Sequence, residues 1–187
     1  MIRDILTVKN FLSKEQCDSI IEMAKTYSIN KTGIQHNLVE SWKNVSNFEF
    51  SKNSEISKII DALHSDVANI IVNTYGVEKS FPREDGYFYR YKTGDFYKAH
   101  CDAQTVLTHE GVTVGMRKPS SSDISSIIYL NDNFLGGELE FGFNNEIVKP
   151  EKGMLVLFYS GWQNTHAVRP IEAGERYCIV NWFVTNP

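Results

Sequence analysis

The second half of this 187-residue chain is a series of short apolar runs separated by turn residues. From Gly86 onward, segments rich in Tyr, Phe, Val and Ile alternate with Gly, Asn, Asp and Pro, and they read GYFYRY, GVTVGM, ISSIIYL, ELEFGF, MLVLFY and YCIVNWFV. Runs of this length and composition are typical of β-strands joined by tight turns. A dense series of them predicts a sandwich or barrel of jelly-roll type.

The first half carries two helical patterns. Ser13 and Gln16 fit a capping box, and a helix is predicted from about Lys14 to Tyr27. A second apolar stripe of 3.6-residue period stops at Gly76, a residue suited to a left-handed helix end. Its members are Ile56, Ile59, Ile60, Leu63, Val67, Ile70 and Ile71. Both stripes are interpreted as core faces, so the helices are expected to pack on one outer face of the strands.

No linker, repeat or low-complexity segment divides the chain, so a single domain over residues 1–187 is predicted. Residues 1–80 are expected to form a helical support region, and residues 81–187 are expected to form the jelly-roll core. The predicted fold class is therefore α+β and mainly β, a double-stranded β-helix (jelly roll) with N-terminal supporting helices.

Charge and cysteine content limit the classes of function. The 19 basic and 23 acidic residues give a formal net charge of −4 without a run of like charge, so nucleic acid is not an expected partner. The N-terminus lacks the apolar core of a signal peptide, and no apolar run reaches the ~18 residues of a spanning helix, so no membrane is expected. Cys17, Cys101 and Cys178 form no CxxC and are typical of reduced thiols, which favours a cytoplasmic location.

The segment YKAHCDAQ contains the first candidate metal ligands, although an isolated HxD is weak evidence. If Tyr97 to Asp102 is extended, His100 and Asp102 point to one face and Cys101 to the other. A jelly roll can bring a late strand alongside this one, which makes His166 in QNTHAVRP a candidate third ligand. Two imidazoles and one carboxylate are the facial triad of non-haem Fe(II), with positions open for a bidentate cosubstrate and dioxygen.

Two polar residues in apolar runs indicate an anion site. Arg176 follows His166 by ten residues in GERYCIVNWF, and Tyr129 ends the run SSIIY. A buried guanidinium needs a specific anionic partner to offset its desolvation. A dicarboxylate that chelates iron at one end and contacts Arg176 and Tyr129 at the other satisfies this requirement.

Five segments resemble the 2-oxoglutarate and Fe(II)-dependent dioxygenases of the prolyl 4-hydroxylase type. YKTGDFYKAHCD resembles their YxxGxxYxxHxD segment, and SIIYLNDNFLGGELEF is similar to their tyrosine strand and Gly-Gly hairpin. THAVRPIEAGER resembles the distal-His to basic-residue segment, NWF the terminal tryptophan, and VKNFLSKEQCDSII the N-terminal helix. The resemblance extends from about Ile5 to Phe183, and DISSIIYL also resembles the bacterial and phage branch.

The resemblance implies roles for individual residues. The implied iron ligands are His100, Asp102 and His166, and the implied 2-oxoglutarate contacts are Tyr91, Tyr129 and Arg176. Trp182 is implied to line the substrate side, for which a core tryptophan is an equal alternative. Arg117 is a second candidate there, because typical prolyl hydroxylases carry an arginine where this chain has Ser122. The stretch Ala103–Ser126 is expected to contain a flexible segment that covers the substrate.

The implied activity is hydroxylation of an unactivated C–H bond, most simply of a prolyl residue in a peptide or protein substrate, coupled to decarboxylation of 2-oxoglutarate to succinate. The implied cofactors are Fe(II), 2-oxoglutarate and dioxygen, with ascorbate as a candidate reductant. The same chemistry on another amino acid or a small molecule remains an alternative, as does a catalytically silent jelly-roll binding module.

Two other interpretations fit the residues less well. A nucleic-acid demethylase of the AlkB type has a second arginine six residues beyond the first, where this chain has Trp182. A zinc hydrolase could use two histidines and one aspartate but would not need Arg176 and Tyr129.

Many collagen-type prolyl hydroxylases have lysine in place of Arg176, whereas arginine is common in bacterial and oxygen-sensing relatives.

Overall fold

The computed structural model describes residues 5–31, 42–82, 86–103, 105–109, 112–117, 123–143 and 145–186, with the backbone alone for 105–109, 112–117 and 186. Within these ranges the protein is mainly antiparallel β-sheet, which confirms the predicted fold class. In chain order the strands are β1 (Ile5–Val8), β2 (Ser28–Lys31), β3 (Lys43–Asn44), β4 (Ser46–Glu49), β5 (Lys79–Pro82), β6 (Tyr87–Lys92), β7 (Phe96–His100), β8 (Thr105–His109), β9 (Val112–Arg117), β10 (Ile124–Tyr129), β11 (Leu135–Gly136), β12 (Leu139–Phe141), β13 (Glu146–Val148), β14 (Leu155–Tyr159), β15 (His166–Val168), β16 (Ile171–Ala173) and β17 (Glu175–Asn186).

Two sheets form the core of the fold. Among the described residues the larger sheet has eight strands in the order β1-β14-β10-β17-β6-β4-β2, with β5 also paired to β17. The smaller sheet has five strands in the order β13-β12-β15-β7-β3. Most strand neighbours in the two sheets are distant in sequence, and this non-local pairing brings residues near 100, 125 and 166 together.

Two helices lie on the outer side of the larger sheet. Helix α1 (Lys14–Ala24) begins with the predicted capping box, in which Ser13 and Gln16 bond to each other's backbone N–H. It ends three residues before the predicted Tyr27, because the chain turns there into β2. Helix α2 (Glu55–Tyr75) ends at Gly76, whose φ of 68° is the left-handed conformation that glycine adopts without a steric cost.

Apolar side chains separate into two layers. The outer layer joins both helices to the larger sheet through residues such as Ile60, Ile71 and Phe88. The inner layer lies between the sheets and includes Tyr89 and Phe158 from the larger sheet and Phe141 from the smaller one. Side chains alternate along a strand, which is why Phe88 packs under the helices while its neighbour Tyr89 faces the inner layer.

The N-terminal region contributes more than helices. Strands β1 to β5 all lie before residue 83, and they extend both sheets at their edges or pair with β17. The sequence did not predict these strands, because each is short and none shows a clear alternation of apolar and polar residues.

The stretch Ala103–Ser126, expected to contain a flexible cover, includes the two-stranded sheet β8-β9 and the start of β10. Ser122 lies outside the described residues, and the description of Arg117 is limited to its backbone in β9. No helix in the described ranges is both long and apolar enough to cross a bilayer.

Candidate active site

Three potential metal ligands converge at the open end of the smaller sheet. His100 ends β7, and His166 begins β15 directly opposite it, as its Cα partner in the antiparallel pair. Asp102 follows β7 by two residues and lies in a turn, so the strand ends earlier than the alternation argument assumed. Its carboxylate nevertheless faces both imidazoles, and one ligand atom from each side chain lies within 4.8 Å of the others.

The tautomer of each histidine follows from its backbone contact. Nδ1 of His100 lies 2.8 Å from the carbonyl oxygen of Lys98, and Nδ1 of His166 lies 2.9 Å from that of Asn164. A carbonyl oxygen can only accept a hydrogen bond, so in each neutral ring Nδ1 carries the proton. Both Nε2 atoms are then left with a lone pair directed toward Asp102.

The lone pairs of the three side chains face one another. Nε2 of His100 lies 3.5 Å from Asp102 Oδ1, and Nε2 of His166 lies 3.8 Å from Asp102 Oδ2. The three side chains thus present donor atoms to one small space, where a single cation can contact all of them. Two imidazole nitrogens and a carboxylate oxygen are the donor set that suits Fe(II), and the residues therefore fit the metal.

The electrostatics keep these side chains in the charge states that metal binding requires. Burial lowers the pKa of His166 to about 4, and the neighbouring His100 lowers it further, against an opposing effect of Asp102. Burial alone would raise the pKa of Asp102, but His166, His100 and Ser125 hold it below its usual range. At neutral pH His166 is therefore neutral and Asp102 is ionised.

A pair of buried serines orients the carboxylate. Ser125 Oγ donates a 2.6 Å hydrogen bond to Asp102 Oδ2 and lies 2.7 Å from Ser160 Oγ. Both serines are 1% exposed, so water does not compete for these contacts. The backbone of Ala103 also donates to the carbonyl oxygen of Ser160, which fixes the turn that carries Asp102.

Aromatic rings enclose the histidines. The ring of Tyr97 stacks on His100 with centroids 3.6 Å apart and planes 15° apart. Phe158 packs edge-on to His166 at 4.7 Å, and Phe141 lies 5.8 Å from the same ring. The rings limit rotation of both imidazoles and exclude water from the buried side of the site.

The predicted anion residues also lie together, deep in the inner layer. Arg176 on β17 is the Cα partner of Tyr91 on β6, and its Cζ lies 4.6 Å above the Tyr91 ring and 4.9 Å above the Tyr129 ring. Arg176 is 1% exposed and Tyr129 is fully buried. Arg176 Nε and Nη1 and the Tyr129 hydroxyl have no hydrogen-bond partner among the described residues.

Such a group of buried donors is costly unless an acceptor binds. A carboxylate fits, because its two oxygens match the fork of a guanidinium and it can also accept from a phenol. Burial raises the pKa of Tyr129, with an opposing effect of Arg176, so the phenol keeps its proton at neutral pH. The residues therefore fit a carboxylate cosubstrate.

On the side of the larger sheet, Trp182 lies half-buried beside the serine network. It is the Cα partner of Ser125, and its ring packs edge-on to Tyr87 at 5.5 Å. Tyr87 in turn stacks on Tyr89, with ring centroids 5.6 Å apart. Trp182 is thus close to the residue that holds Asp102.

Sequence reasoning missed three residues of the site. Ser125 left a faint signal, because a Ser-Ser pair interrupts the apolar run ISSIIYL. Tyr97 was noted only as a member of the motif, without its stacking role. Lys43 gave no signal at all, because its position depends on the pairing of β3 with β7, which joins residues more than fifty positions apart.

Comparison with known proteins gives the same family. Residues 86–184 match the 2OG-Fe(II) oxygenase superfamily. The chain is 30% identical over 132 residues to prolyl 3-hydroxylase 1 of Gallus gallus, which covers 67% of this chain but 17% of that protein. The chain therefore spans less than a fifth of the length of this curated relative.

Solved structures of prolyl hydroxylases have a similar fold. A Pseudomonas putida prolyl-4-hydroxylase aligns with a TM-score of 0.72 at 20% identity, covering 98% of this chain and 94% of that one. The viral collagen prolyl hydroxylase of Paramecium Bursaria Chlorella virus-1, solved with 2OG, aligns with a TM-score of 0.68 at 20% identity, covering 99% and 97%. These two comparisons concern the fold, while the family match extends over more than half of the sequence. The chain belongs to the 2OG-Fe(II) oxygenase superfamily.

Proposed function

We propose that this chain is an Fe(II)- and 2-oxoglutarate-dependent hydroxylase that acts on a prolyl residue of a peptide or protein. The observation that carries the proposal is that a cluster of metal-binding side chains and a group of buried hydrogen-bond donors lie in the same layer of the fold. The donor atoms of His100, Asp102 and His166 can share one cation, and the buried donors of Arg176 and Tyr129 lack an acceptor among the described residues. Iron bound to one end of 2-oxoglutarate supplies both the cation and the acceptor.

In this proposal each residue has a defined task. His100, Asp102 and His166 hold Fe(II) through one nitrogen or oxygen each. Arg176 and Tyr129 bind the far carboxylate of 2-oxoglutarate, and Tyr91, which lies against the Arg176 guanidinium, contacts the cosubstrate along its length. When bound, the iron with 2-oxoglutarate and dioxygen supplies the oxidising chemistry that hydroxylates a C–H bond and yields succinate and carbon dioxide.

The protein contributes position, charge and the exclusion of water. Ser125 and Ser160 fix the carboxylate of Asp102, and the Tyr97 ring fixes His100. The buried aromatic layer shields the centre from bulk water. One edge of the triad is left for substrate, and Trp182 is proposed to line that edge.

A prolyl substrate is supported by the relatives, whose names include both prolyl 3-hydroxylase and prolyl-4-hydroxylase. A neighbour from Trichoplax adhaerens is a prolyl hydroxylase solved with a peptide fragment of hypoxia inducible factor. These names do not select between the two ring carbons for this chain. The position of the hydroxyl group is therefore a result to be measured.

The experiment is a succinate assay on protein loaded anaerobically with Fe(II), then given 2-oxoglutarate, ascorbate and air. It is run with and without a panel of proline-containing peptides, and each peptide is examined by mass spectrometry. The expected result is succinate formation stimulated by a peptide that gains one oxygen atom, with the hydroxyl located on C3 or C4 of proline by comparison with standards. Omission of ascorbate tests whether it acts as the reductant.

Arg176→Met is the matched variant, because it keeps the size of the side chain but removes the charge. It is expected to lose turnover while it still binds metal. No turnover in the wild-type protein despite confirmed loading with Fe(II) and 2-oxoglutarate would contradict the proposed activity and favour a binding module.

A further inference from the structure

A lysine beside the triad has a charge that no described residue neutralises. Lys43, on β3, is only 9% exposed, although it carries an ammonium group. A buried charge is normally paired with an opposite charge, because its desolvation otherwise costs several kcal/mol.

Lys43 has few polar contacts for a group with three N–H donors. Its Nζ donates a 3.2 Å hydrogen bond to the hydroxyl oxygen of Tyr89 and lies 4.5 Å and 4.6 Å from the ring centroids of Tyr89 and Tyr97. No carboxylate lies within ion-pair distance of this nitrogen in the part of the chain that the structure describes. Two of its three donors therefore have no acceptor among the described residues.

The position of the ammonium group links it to the active site. Lys43 is the Cα partner of Tyr97, whose ring stacks directly on the candidate iron ligand His100. Asp102 is the charged group that acts on it most strongly. Lys43 and Arg176 therefore lie in the same inner layer but contact different rings. Lys43 lies over Tyr89 and Tyr97. Arg176 lies over Tyr91 and Tyr129.

Charge balance indicates what the free donors bind. In the proposed complex the two charges of Fe(II) balance those of 2-oxoglutarate. The two cations Lys43 and Arg176 are then offset by one anionic side chain, Asp102, which acts on Lys43 without reaching ion-pair distance. One positive charge close to the reacting centre is therefore left for a substrate group to balance. Burial lowers its pKa to about 8, with Asp102 opposing, so the group is still mostly protonated at neutral pH.

We propose that Lys43 is a specificity-determining residue that binds a carboxylate of the substrate, either on the oxidised residue itself or on its immediate neighbour. The inference rests on the proposed function and narrows it. Among proline-containing substrates it favours a proline followed by an acidic residue, or a proline with a free carboxyl group, over a proline within a neutral segment. An ammonium–carboxylate contact in a partly desolvated site increases the affinity for the substrate and fixes its position along the site.

The test compares matched pairs of probes that differ only in charge. One pair is N-acetyl-Gly-Pro-Asp-amide and N-acetyl-Gly-Pro-Asn-amide, and the other is N-acetylproline and N-acetylproline amide. Binding is measured anaerobically by ligand-observed NMR on protein saturated with Fe(II) and 2-oxoglutarate. In at least one pair the anionic member is expected to bind about tenfold more tightly or better, the usual effect of a charged hydrogen bond.

Three variants locate the effect. Lys43→Met is expected to remove the preference for the anionic probe, and Lys43→Arg, which keeps the charge, is expected to retain most of it. Lys92→Met is the control, because Lys92 is an exposed lysine at the end of β6, and it should leave the preference unchanged. The affinity for 2-oxoglutarate is measured on every preparation.

The outcomes are separable. Absence of any charge preference in both pairs, or a preference that survives in Lys43→Met, overturns the inference. A loss of 2-oxoglutarate affinity in Lys43→Met without a change in probe preference also overturns it, because the lysine would then serve the cosubstrate. Failure of the wild-type protein to bind 2-oxoglutarate contradicts the proposed function itself, whatever the probes do.

Discussion

Ser125 on β10 of the larger sheet donates a 2.6 Å hydrogen bond to Asp102 in the turn after β7 of the smaller sheet, and it does so from a position that is 1% exposed. The bond occupies one oxygen of the carboxylate from the side of the larger sheet. Asp102 can then present its remaining lone pairs to the metal position between the two imidazoles. Residues outside the ligand set that orient a ligand in this way commonly change metal affinity by about 10- to 100-fold when they are removed.

Ser125→Ala is therefore expected to weaken Fe(II) binding by about tenfold or more without loss of the fold. Ser126→Ala is the matched control, because Ser126 is the next residue on β10, equally buried, and bonds to the backbone carbonyl of Asn181 instead. Metal affinity is measured anaerobically by competition with a chelator. Equal losses in the two variants would show that the effect is one of general stability and would contradict a positioning role for Ser125.

Cys101 tests which side chains of the HCD segment face the metal. The cluster that could hold an ion includes His100 and Asp102 but not the cysteine between them. Cys101→Ser is expected to bind one equivalent of Fe(II) as the wild type does, whereas His100→Ala and Asp102→Ala are expected to lose binding. Metal content after desalting, measured by elemental analysis, checks this, and a comparable loss in all three variants would be evidence against the proposed ligand set.

Arg176 is expected to lower the stability of the protein without cosubstrate and to be essential for binding 2-oxoglutarate. Its guanidinium is buried with Nε and Nη1 unbonded, and replacing such a charge with an apolar side chain of similar size is often neutral or stabilising. Arg176→Met should therefore keep or raise the thermal stability of the protein without cosubstrate, while its affinity for 2-oxoglutarate falls by about tenfold or more.

The control for this prediction is Arg169→Met. Arg169 is exposed and pairs with Glu140 at 2.8 Å on the smaller sheet, so its loss should change neither property appreciably. Differential scanning fluorimetry and calorimetric titration provide the two measurements. A strongly destabilised Arg176→Met protein would indicate that the arginine is a structural residue.

Lys43 gives a pH-dependent prediction for the protein without ligands. The pKa of Lys43 in the folded protein is about 8, which is below that of an unfolded lysine. Between these two pKa values the unfolded chain binds more protons than the folded one. The free-energy penalty for burying the charge therefore disappears as the pH rises. Lys43→Met is thus expected to be more stable than wild type below pH 8, with the difference shrinking toward pH 10.

The groups that face Lys43 do not reverse the direction of this pH dependence. Burial raises the pKa of Tyr89 and Tyr97, so both stay protonated over most of the range, and Asp102 stays ionised throughout. Cys178 also acts on Lys43, but burial raises the pKa of its thiol as well. Chemical denaturation of both proteins across this range checks the prediction, and a difference that grows with pH would contradict it.

The sequence was informative where local patterns decide the structure. The capping box at Ser13, the end of α2 at Gly76 and the strand runs after Gly86 each depend on residues close in sequence, and the structure has them. The pairing of His166 with the His100 strand was anticipated from the expected jelly-roll topology and from the family resemblance, because the residues around a histidine do not indicate its partner across a sheet.

What the sequence could not supply depends on non-local pairing. The short strands β2 to β4 take their conformation from neighbouring strands and have little propensity of their own. Lys43 reaches the active site only because β3 pairs with β7, and Ser125 reaches Asp102 only because β10 lies in the opposing sheet. Charged and polar residues that support a site in this way look like ordinary surface residues in the sequence.

The most direct test of the account is diffraction at the iron absorption edge from crystals grown anaerobically with Fe(II) and 2-oxoglutarate. The account predicts one anomalous peak bounded by His100 Nε2, His166 Nε2 and an Asp102 carboxylate oxygen, with the keto acid extending from it to the Arg176 guanidinium. An iron peak elsewhere, or a keto acid whose far carboxylate does not contact Arg176, would contradict it.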